Sequence, residues 1–183
     1  MAPADMERPE GVNDSKKLSK VARERVHERL RGLDNVSRAV AYRHASYIDE
    51  HGVRASLRAC YEEAIGKLLG FGYPVVAIRI DGQPFVLEVG GHTPEFIVKG
   101  DIHDWYIGAA SIVAKTVRDG IMAKWDTEEA YRGYGWAKNS GYGTKAHTDA
   151  IRQLGLSDQH RKSYCRKLET PDTCEGVLDL FHP

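Results

Sequence analysis

The 183-residue chain lacks the features that mark membrane proteins, secreted proteins and strongly basic nucleic-acid binders. No apolar run approaches the roughly 18–20 residues that a membrane span requires. Residues 1–10 carry acids and prolines, so we expect no secretory signal there. The formal net charge is zero, from 26 basic and 26 acidic residues, which argues against a chain that is basic throughout and leaves room for a local basic patch.

Cysteine is scarce as well. The three cysteines, Cys60, Cys165 and Cys174, are odd in number and lack the spacing of a metal site. Reduced thiols in a cytoplasmic protein are the simplest interpretation. Because 42% hydrophobic and 28% charged residues are ordinary values, we expect a soluble domain with a substantial core.

The charge that is present is unevenly distributed. Residues 13–32 hold seven Lys or Arg against three acids, and residues 159–168 hold four basic residues and no acid. Residues 169–183 carry four acids and no Lys or Arg, and we interpret them as an acidic tail. A nucleic-acid contact and a solvated helix face explain the first basic run equally well.

Alternating strand and helix patterns predict an α/β fold. Apolar residues recur every fourth position from Leu18 to Leu30, which predicts a first helix with Ser19 as N-cap and Gly32 as its end. Similar patterns predict helices over about 52–69 and 106–125, and a short helix that begins at Thr144. The predicted strands are 36–44, 74–80, 85–89 and 95–100, and the apolar 74–80 is expected to be buried on both faces. Residues 1–13 are predicted to be disordered.

Two acids could carry chemistry. Asp81 follows the apolar run "PVVAIRI", where an Asp-Gly pair is typical of a turn, but ligands also gather beyond the carboxyl ends of strands. Asp119 lies at the margin of a helical apolar stripe, one turn after Lys115, where a surface ion pair is the ordinary interpretation. Acids from two elements can also meet at Mg²⁺ or Mn²⁺, although a two-metal phosphodiester site usually needs more than two carboxylates.

Two polar segments are suited to phosphate. In "DSKKLS" (14–19), Ser15, Lys16 and Lys17 form a dense hydrogen-bonding turn before a helix. In "GYGTK" (141–145) the side chain of Thr144 can cap a helix whose first turn binds phosphate, Lys145 adds charge, and Tyr142 can stack on a sugar or base or pack on the core. The histidines His147 and His160 are metal ligands or bases in one interpretation, and phosphate or structural contacts in another.

Taken together, seven ordered segments resemble bacterial-type ribonuclease HII over roughly residues 11–168. They are "GVNDSKKLS" (11–19), "YIDE" (47–50), "IRIDG" (78–82), "IVKGD" (97–101), "GAASIVAKTVRD" (108–119), "KNSGYGTKAH" (138–147) and "HRKSY" (160–164). The resemblance implies a ribonuclease H-like α/β fold, with a mixed sheet flanked by helices and further C-terminal helices. It also implies endonucleolytic cleavage of RNA in RNA–DNA hybrids, including single ribonucleotides in duplex DNA, as in DNA repair.

The resemblance also implies residue roles. The family holds Mg²⁺ or Mn²⁺ with four acids, and two of them match Asp81 and Asp119. The family tyrosine that packs on the sugar at the ribo–deoxyribo junction matches Tyr142. Residues matching the family's contacts to the nucleic-acid backbone are Ser15, Lys16, Lys17, Thr144 and Lys145.

One departure from the family pattern is large. The family's first strand carries an Asp-Glu pair followed by Gly-Arg-Gly, and residues 1–13 share only composition with it through Asp5, Glu7 and Arg8. The sequence therefore predicts an incomplete ribonuclease HII-like domain over 14–168, in which the sheet lacks its first strands. A truncated gene product, a split enzyme completed by a second chain and a degenerate copy each fit this expectation. The alternative to catalysis is a binding-only remnant that keeps the phosphate contacts.

Overall fold

A computed structural model describes residues 1–169, and the acidic tail predicted for 169–183 lies outside it except for the backbone of Glu169. The described chain divides into two compact units. The first unit comprises residues 1–43 and 54–121, and the second comprises 44–53 and, of the described residues, 122–169. The ribonuclease HII-like domain over 14–168 stays a prediction. The described α-helices are α1 (Lys20–Arg31), α2 (Ala45–Leu69), α3 (Gly100–His103), α4 (Trp105–Thr127), α5 (Trp136–Asn139), α6 (Lys145–Leu154) and α7 (Lys162–Glu169).

Helix α1 forms where its sequence pattern predicts it. The Ser19 side chain accepts a hydrogen bond from the backbone N–H of Ala22, which satisfies one of the free donors of the first turn. At the other end the N–H of Gly32 bonds back to Arg29 and Glu28 carbonyls. The helix buries Val26 and Leu30 against Val12, Ile112 and Val113, and these five residues make the core of the first unit. The apolar stripes of α1 and α4 therefore share one core.

The sheet is much smaller than the sequence predicts. Strand β1 (Arg79–Asp81) pairs in parallel with β2 (Glu95–Ile97), and the register places Ile80 opposite Phe96. Within residues 1–169 these are the two named strands, and the predicted segments 36–44, 74–78 and 85–89 do not form strands. The expectation that 74–80 is buried on both faces is wrong, because Val76 is 84% exposed. An apolar segment is buried as a strand only when neighbouring strands cover it, and β1 has one neighbour.

Residues 1–13, for which the sequence predicts disorder, make specific contacts in the structure. Val12 is 2% exposed and belongs to the core of the first unit. The Met1 ammonium donates to the Ser37 carbonyl at 2.8 Å, and the Tyr106 hydroxyl donates to the Pro3 carbonyl at 2.7 Å. Prolines and acids remove strand and helix signals from such a segment, and the disorder of residues 1–13 stays a prediction.

The second unit is built around aromatic side chains. Its core contains Tyr134, Trp136 and Ile151. Helix α6 begins at Lys145 with Thr144 as its N-cap, and the Thr144 hydroxyl accepts from the backbone N–H of His147. Asp49, in the part of α2 that belongs to this unit, accepts backbone hydrogen bonds from Lys162 (2.7 Å) and Ser163 (3.1 Å), the first residues of α7. Within residues 1–169, no helix is long and apolar enough to cross a membrane.

Candidate metal and nucleic-acid site

Asp81 and Asp101 lie together at the carboxyl ends of the two strands. Asp81 is the last residue of β1, and Asp101 follows β2 by four residues, in the first turn of α3. Their segments are joined by a hydrogen bond of 2.8 Å from the Gly100 backbone N–H to Asp81 Oδ1. The Asp81 residue is exposed and Asp101 is 6% exposed. The parallel pair therefore brings one open and one enclosed carboxylate to the same edge of the sheet.

The turn between β2 and α3 has an uncommon backbone conformation and close packing. Lys99 adopts the left-handed conformation (φ 57°, ψ 35°), which is uncommon for a residue other than glycine. At the next position a Cβ would lie 2.6 Å from Ile107 Cδ1, so only glycine fits without a shift. This close packing fixes the Gly100 N–H toward Asp81 and sets the position of Asp101 beside it.

The "DSKK" segment supplies the positive charge at this edge. Lys16 Nζ lies 3.1 Å from Asp101 Oδ2, while the Lys16 side chain remains 79% exposed. The hydrogen bond and charge of Asp101 raise the pKa of Lys16, and the charges of Asp14 and Asp81 add to the effect. The segment itself is held in place, because the Ser15 and Ser111 hydroxyls are 2.9 Å apart. Lys16 is thus paired with Asp101, and the charges of Asp14 and Asp81 also favour its protonated form.

Asp119 has a different environment in the same unit. Its side chain is 8% exposed, Arg23 Nη2 lies 3.1 Å from Oδ2, and Lys115 Nζ lies 2.7 Å from Oδ1. The two cations are themselves largely enclosed, with side-chain exposures of 12% and 25%. The Arg23 guanidinium also donates to the Ser15 and Leu18 carbonyls. Two cations therefore already neutralise Asp119, and through Arg23 it is linked to the "DSKK" segment.

The remaining predicted nucleic-acid residues lie in the second unit. Tyr142 is 57% exposed, and its backbone N–H donates to the Asn139 carbonyl in a tight turn. Lys145, in the first turn of α6, pairs with Asp149 at 2.6 Å and has a side chain that is 89% exposed. Thr144 caps that helix, so the exposed groups stand at a helix N-terminus.

His147 and His160 lie in the aromatic core of the second unit. They are 3% and 6% exposed, and their rings stack with centroids 5.3 Å apart. His147 Nδ1 lies 3.0 Å from the Tyr134 carbonyl, and His160 Nδ1 accepts from the Ser157 backbone N–H. Burial, aided by the nearby His147, lowers the pKa of His160 to about 4. Of the interpretations left open by the sequence, the geometry favours structural contacts.

The donor chemistry at Asp81 and Asp101 fits a hard divalent cation, which prefers carboxylate oxygens and retains water ligands. Within residues 1–169, no group of three or more His, Cys, Asp or Glu side chains has the arrangement of a metal site. Two adjacent carboxylates can anchor one such cation, with water and phosphate oxygens as its other ligands. Asp101 Oδ2 already faces a cation in the form of Lys16, which is consistent with this fit.

Asp101 was not among the residues selected from the sequence. The segment "IVKGD" belongs to the resemblance, whereas Asp81 is the acid that the sequence analysis places at a strand end. A signal was present, because both acids follow apolar segments that were predicted to be strands. Applying the strand-end rule to both segments would have selected the pair.

Comparisons with known proteins agree with the motifs. A family model described as ribonuclease HII matches residues 3–167. The ribonuclease HII of Cereibacter sphaeroides is 40% identical over 156 residues, covering 85% of this chain and 70% of that protein. The Ruegeria sp. enzyme is 36% identical, covering 85% and 65%. The Leuconostoc mesenteroides enzyme is 37% identical, covering 84% and 57%. The chain thus spans between 57% and 70% of the length of these relatives.

Proposed function

Because this chain belongs to the ribonuclease HII family, we propose that it is a metal-dependent endoribonuclease. Its substrates are RNA in RNA–DNA hybrids and single ribonucleotides within duplex DNA. The observation that carries the proposal is the pair of carboxylates, Asp81 and Asp101, at the carboxyl edge of the parallel strands.

In this proposal Asp81 and Asp101 hold Mg²⁺ or Mn²⁺. Such a cation supplies an activated water and charge stabilisation at the leaving oxygen of a phosphodiester. The carboxylates fix the position of that charge because the Gly100 N–H orients Asp81 and the packed α3 turn orients Asp101. Lys16 and Lys17 bind the phosphate backbone next to the carboxylates through their exposed ammonium groups. Ser15, which the resemblance also places at the nucleic acid, is 4% exposed and holds the "DSKK" turn in place through its contact with Ser111.

The second unit contributes nucleic-acid contacts. The exposed ring of Tyr142 stacks on a sugar or base, and Lys145 with the Thr144-capped end of α6 binds a phosphate. Support for these roles comes from exposure and charge. A side chain that only served the core of the unit would be buried, as Tyr134 is.

The metal-ligand role of Asp119 stays a prediction, and the enzyme assay tests it together with the carboxylate pair. The substrate is duplex DNA that contains one ribonucleotide, incubated with the pure chain and Mn²⁺. We expect nicking by the wild type and at least a hundredfold less nicking by Asp81→Asn and by Asp101→Asn, because each substitution removes a ligand charge.

Glu62→Gln is the matched control, because Glu62 forms a solvent-exposed ion pair with Arg58 within α2. It should nick like the wild type. If Asp81→Asn and Asp101→Asn nick as fast as this control, the carboxylate pair is not the metal site. If Asp119→Asn remains folded and loses both nicking and Mn²⁺ binding, the ligand role of Asp119 is supported.

A second candidate function is nucleic-acid binding without cleavage. It is favoured by one observation, the absence within residues 1–169 of three or more side chains arranged to hold a metal. Electrophoretic mobility shifts with the same duplex distinguish the two functions. Binding by a wild type that does not nick at any Mn²⁺ concentration supports the binding-only protein, and Lys17→Gln and Lys145→Gln should then weaken binding.

We also propose that a β-strand from a second polypeptide completes the sheet and supplies further carboxylates. Within residues 1–169 β1 pairs on one side only, and Val76, three residues before it, is 84% exposed. Both observations support the proposal, because an unpaired strand edge favours strand addition.

Titration with a synthetic peptide that carries the family's Asp-Glu-x-Gly-Arg-Gly motif tests this proposal. Amide hydrogen exchange should slow in residues 76–81, and nicking should rise. The matched control peptide has its acids replaced by amides, which should protect the same amides without increasing nicking. Unchanged exchange at saturating peptide would contradict strand addition.

A further inference from the structure

The Lys16 ammonium lies against Asp101, one of the two carboxylates that are proposed to hold the metal ion. It lies 3.1 Å from Asp101 Oδ2, and the charges of Asp14 and Asp81 also act on it. Three carboxylates and one ammonium leave two negative charges among these four groups. The cleft next to them is also lined by Arg8 and His103, and the Arg8 guanidinium donates to the Val12 carbonyl instead of to a carboxylate.

The two partners in this ion pair are unequally restrained. The Asp101 side chain is 5% exposed and is fixed by the packed turn at Gly100. The Lys16 side chain is 79% exposed, so its long stem can turn into solvent without loss of packing. The carboxylate therefore stays in place while the ammonium is free to leave.

We propose that Lys16 is a displaceable counter-ion, which neutralises the carboxylates in the metal-free protein and gives way when a divalent cation binds. This rests on the proposed function, because the cation is the one that Asp81 and Asp101 hold. The released ammonium points into solvent beside the cation, where it meets the phosphate of the substrate. Metal binding and phosphate binding would thus be coupled through one lysine.

The adjacent Lys17 provides a matched control. It is exposed and lies on the same "DSKK" turn, but within residues 1–169 it forms no salt bridge with an acid. A general loss of positive charge near the site would affect the Lys16 and Lys17 variants alike. Displacement predicts an effect at Lys16 alone.

The test measures Mn²⁺ binding directly, by the loss of the free Mn²⁺ signal in electron paramagnetic resonance, without substrate. We expect Lys16→Met to bind Mn²⁺ about fivefold more tightly than the wild type, because one unit charge about 4 Å away in water is worth about 1 kcal/mol. Lys17→Met should bind like the wild type. Lys16→Arg, which keeps the charge, should also remain near the wild type.

The outcomes separate this inference from the proposed function. If the wild type binds Mn²⁺ and Lys16→Met binds it with the same or lower affinity, Lys16 is not a counter-ion and the metal site stands. If Lys16→Met binds Mn²⁺ and the wild type does not, both proposals are supported. If neither binds, both are overturned. Thermal unfolding of each variant shows whether a lost signal reflects loss of the fold.

Discussion

Two buried carboxylates of the first unit are neutralised by basic side chains that differ in their exposure to solvent. Asp119 and Asp101 are 7% and 6% exposed, and each faces basic side chains. Asp119 is neutralised by Arg23 and Lys115, both largely enclosed, whereas Asp101 is neutralised by a lysine that is mostly in solvent. The difference teaches that burial of an acid does not by itself mark a site. A buried acid is a candidate metal ligand when the basic side chain that neutralises it can move into solvent.

The largest expected effect separates these two acids by stability. Asp119→Ala leaves the enclosed Arg23 guanidinium without its carboxylate, and we expect a loss of about 3–5 kcal/mol in the free energy of unfolding. Asp101→Ala should cost less than about 1 kcal/mol, because Lys16 can turn into water. Urea denaturation of the two variants checks the difference. Equal losses would mean that both acids are structural.

A smaller effect is expected from the turn that positions Asp101. Gly100→Ala places a Cβ 2.6 Å from Ile107 Cδ1, and overpacking of this kind costs about 1–3 kcal/mol. The affinity of the Gly100→Ala protein for Mn²⁺ should also fall. Gly120→Ala, in α4, meets no atom within 4 Å and should stabilise the helix by about 0.5–1 kcal/mol. Urea denaturation and Mn²⁺ titration together check both variants, and a harmless Gly100→Ala would refute the close-packed turn.

His160 differs from both acids, because it is a buried titratable group that stays neutral. Its folded pKa of about 4 lies below the ordinary value of 6.5, and Asp158 and His147 are the titratable groups that act on it. Its contribution to stability is therefore complete above pH 6.5 and is lost as pH falls toward 4. Between pH 7 and pH 5 we expect the wild type to lose about 1–2 kcal/mol more than His160→Phe.

The comparison is made by urea denaturation at the two pH values, with both proteins measured in the same buffers. Other groups that titrate in this range are common to both proteins and cancel in the difference. A His160→Phe protein with the same pH dependence as the wild type would show that the histidine is not responsible.

The smallest stability effect is expected at the exposed pair of Lys145 and Asp149. With a lysine side chain that is 89% exposed, Lys145→Gln should change the free energy of unfolding by less than about 0.5 kcal/mol. The substitution should instead change the affinity for duplex nucleic acid. The slope of log K against log salt concentration for duplex binding should fall by about one. An unchanged slope would remove Lys145 from the nucleic-acid contacts.

The helices could be predicted from the sequence because their signals are local. Ser19 and Thr144 cap the helices that their positions predict, and the apolar repeat from Leu18 to Leu30 buries the expected residues. The strands were overpredicted, because pairing depends on distant residues. The run 74–78 has strand composition, yet the structure leaves most of it exposed.

The site could be predicted only in part. Asp81 was selected because an acid that ends an apolar strand is visible in the sequence. Asp101 also follows a predicted strand, but its proximity to Asp81 depends on the parallel pairing of β1 and β2, which no local pattern specifies. The enclosure of Asp119 depends on Arg23, 96 residues away, and such a partner cannot be predicted from the local spacing of Lys115 and Asp119.

The left-handed backbone of Lys99 has a consequence for protein engineering. A residue with a Cβ is disfavoured in this conformation by roughly 1–2 kcal/mol, so Lys99→Gly is an obvious choice for raising the thermal tolerance of the chain. The same turn, however, aligns the Gly100 N–H with Asp81. A more permissive residue at position 99 would widen the range of backbone angles there. Position 99 is therefore where a trade-off between robustness and activity should first be sought.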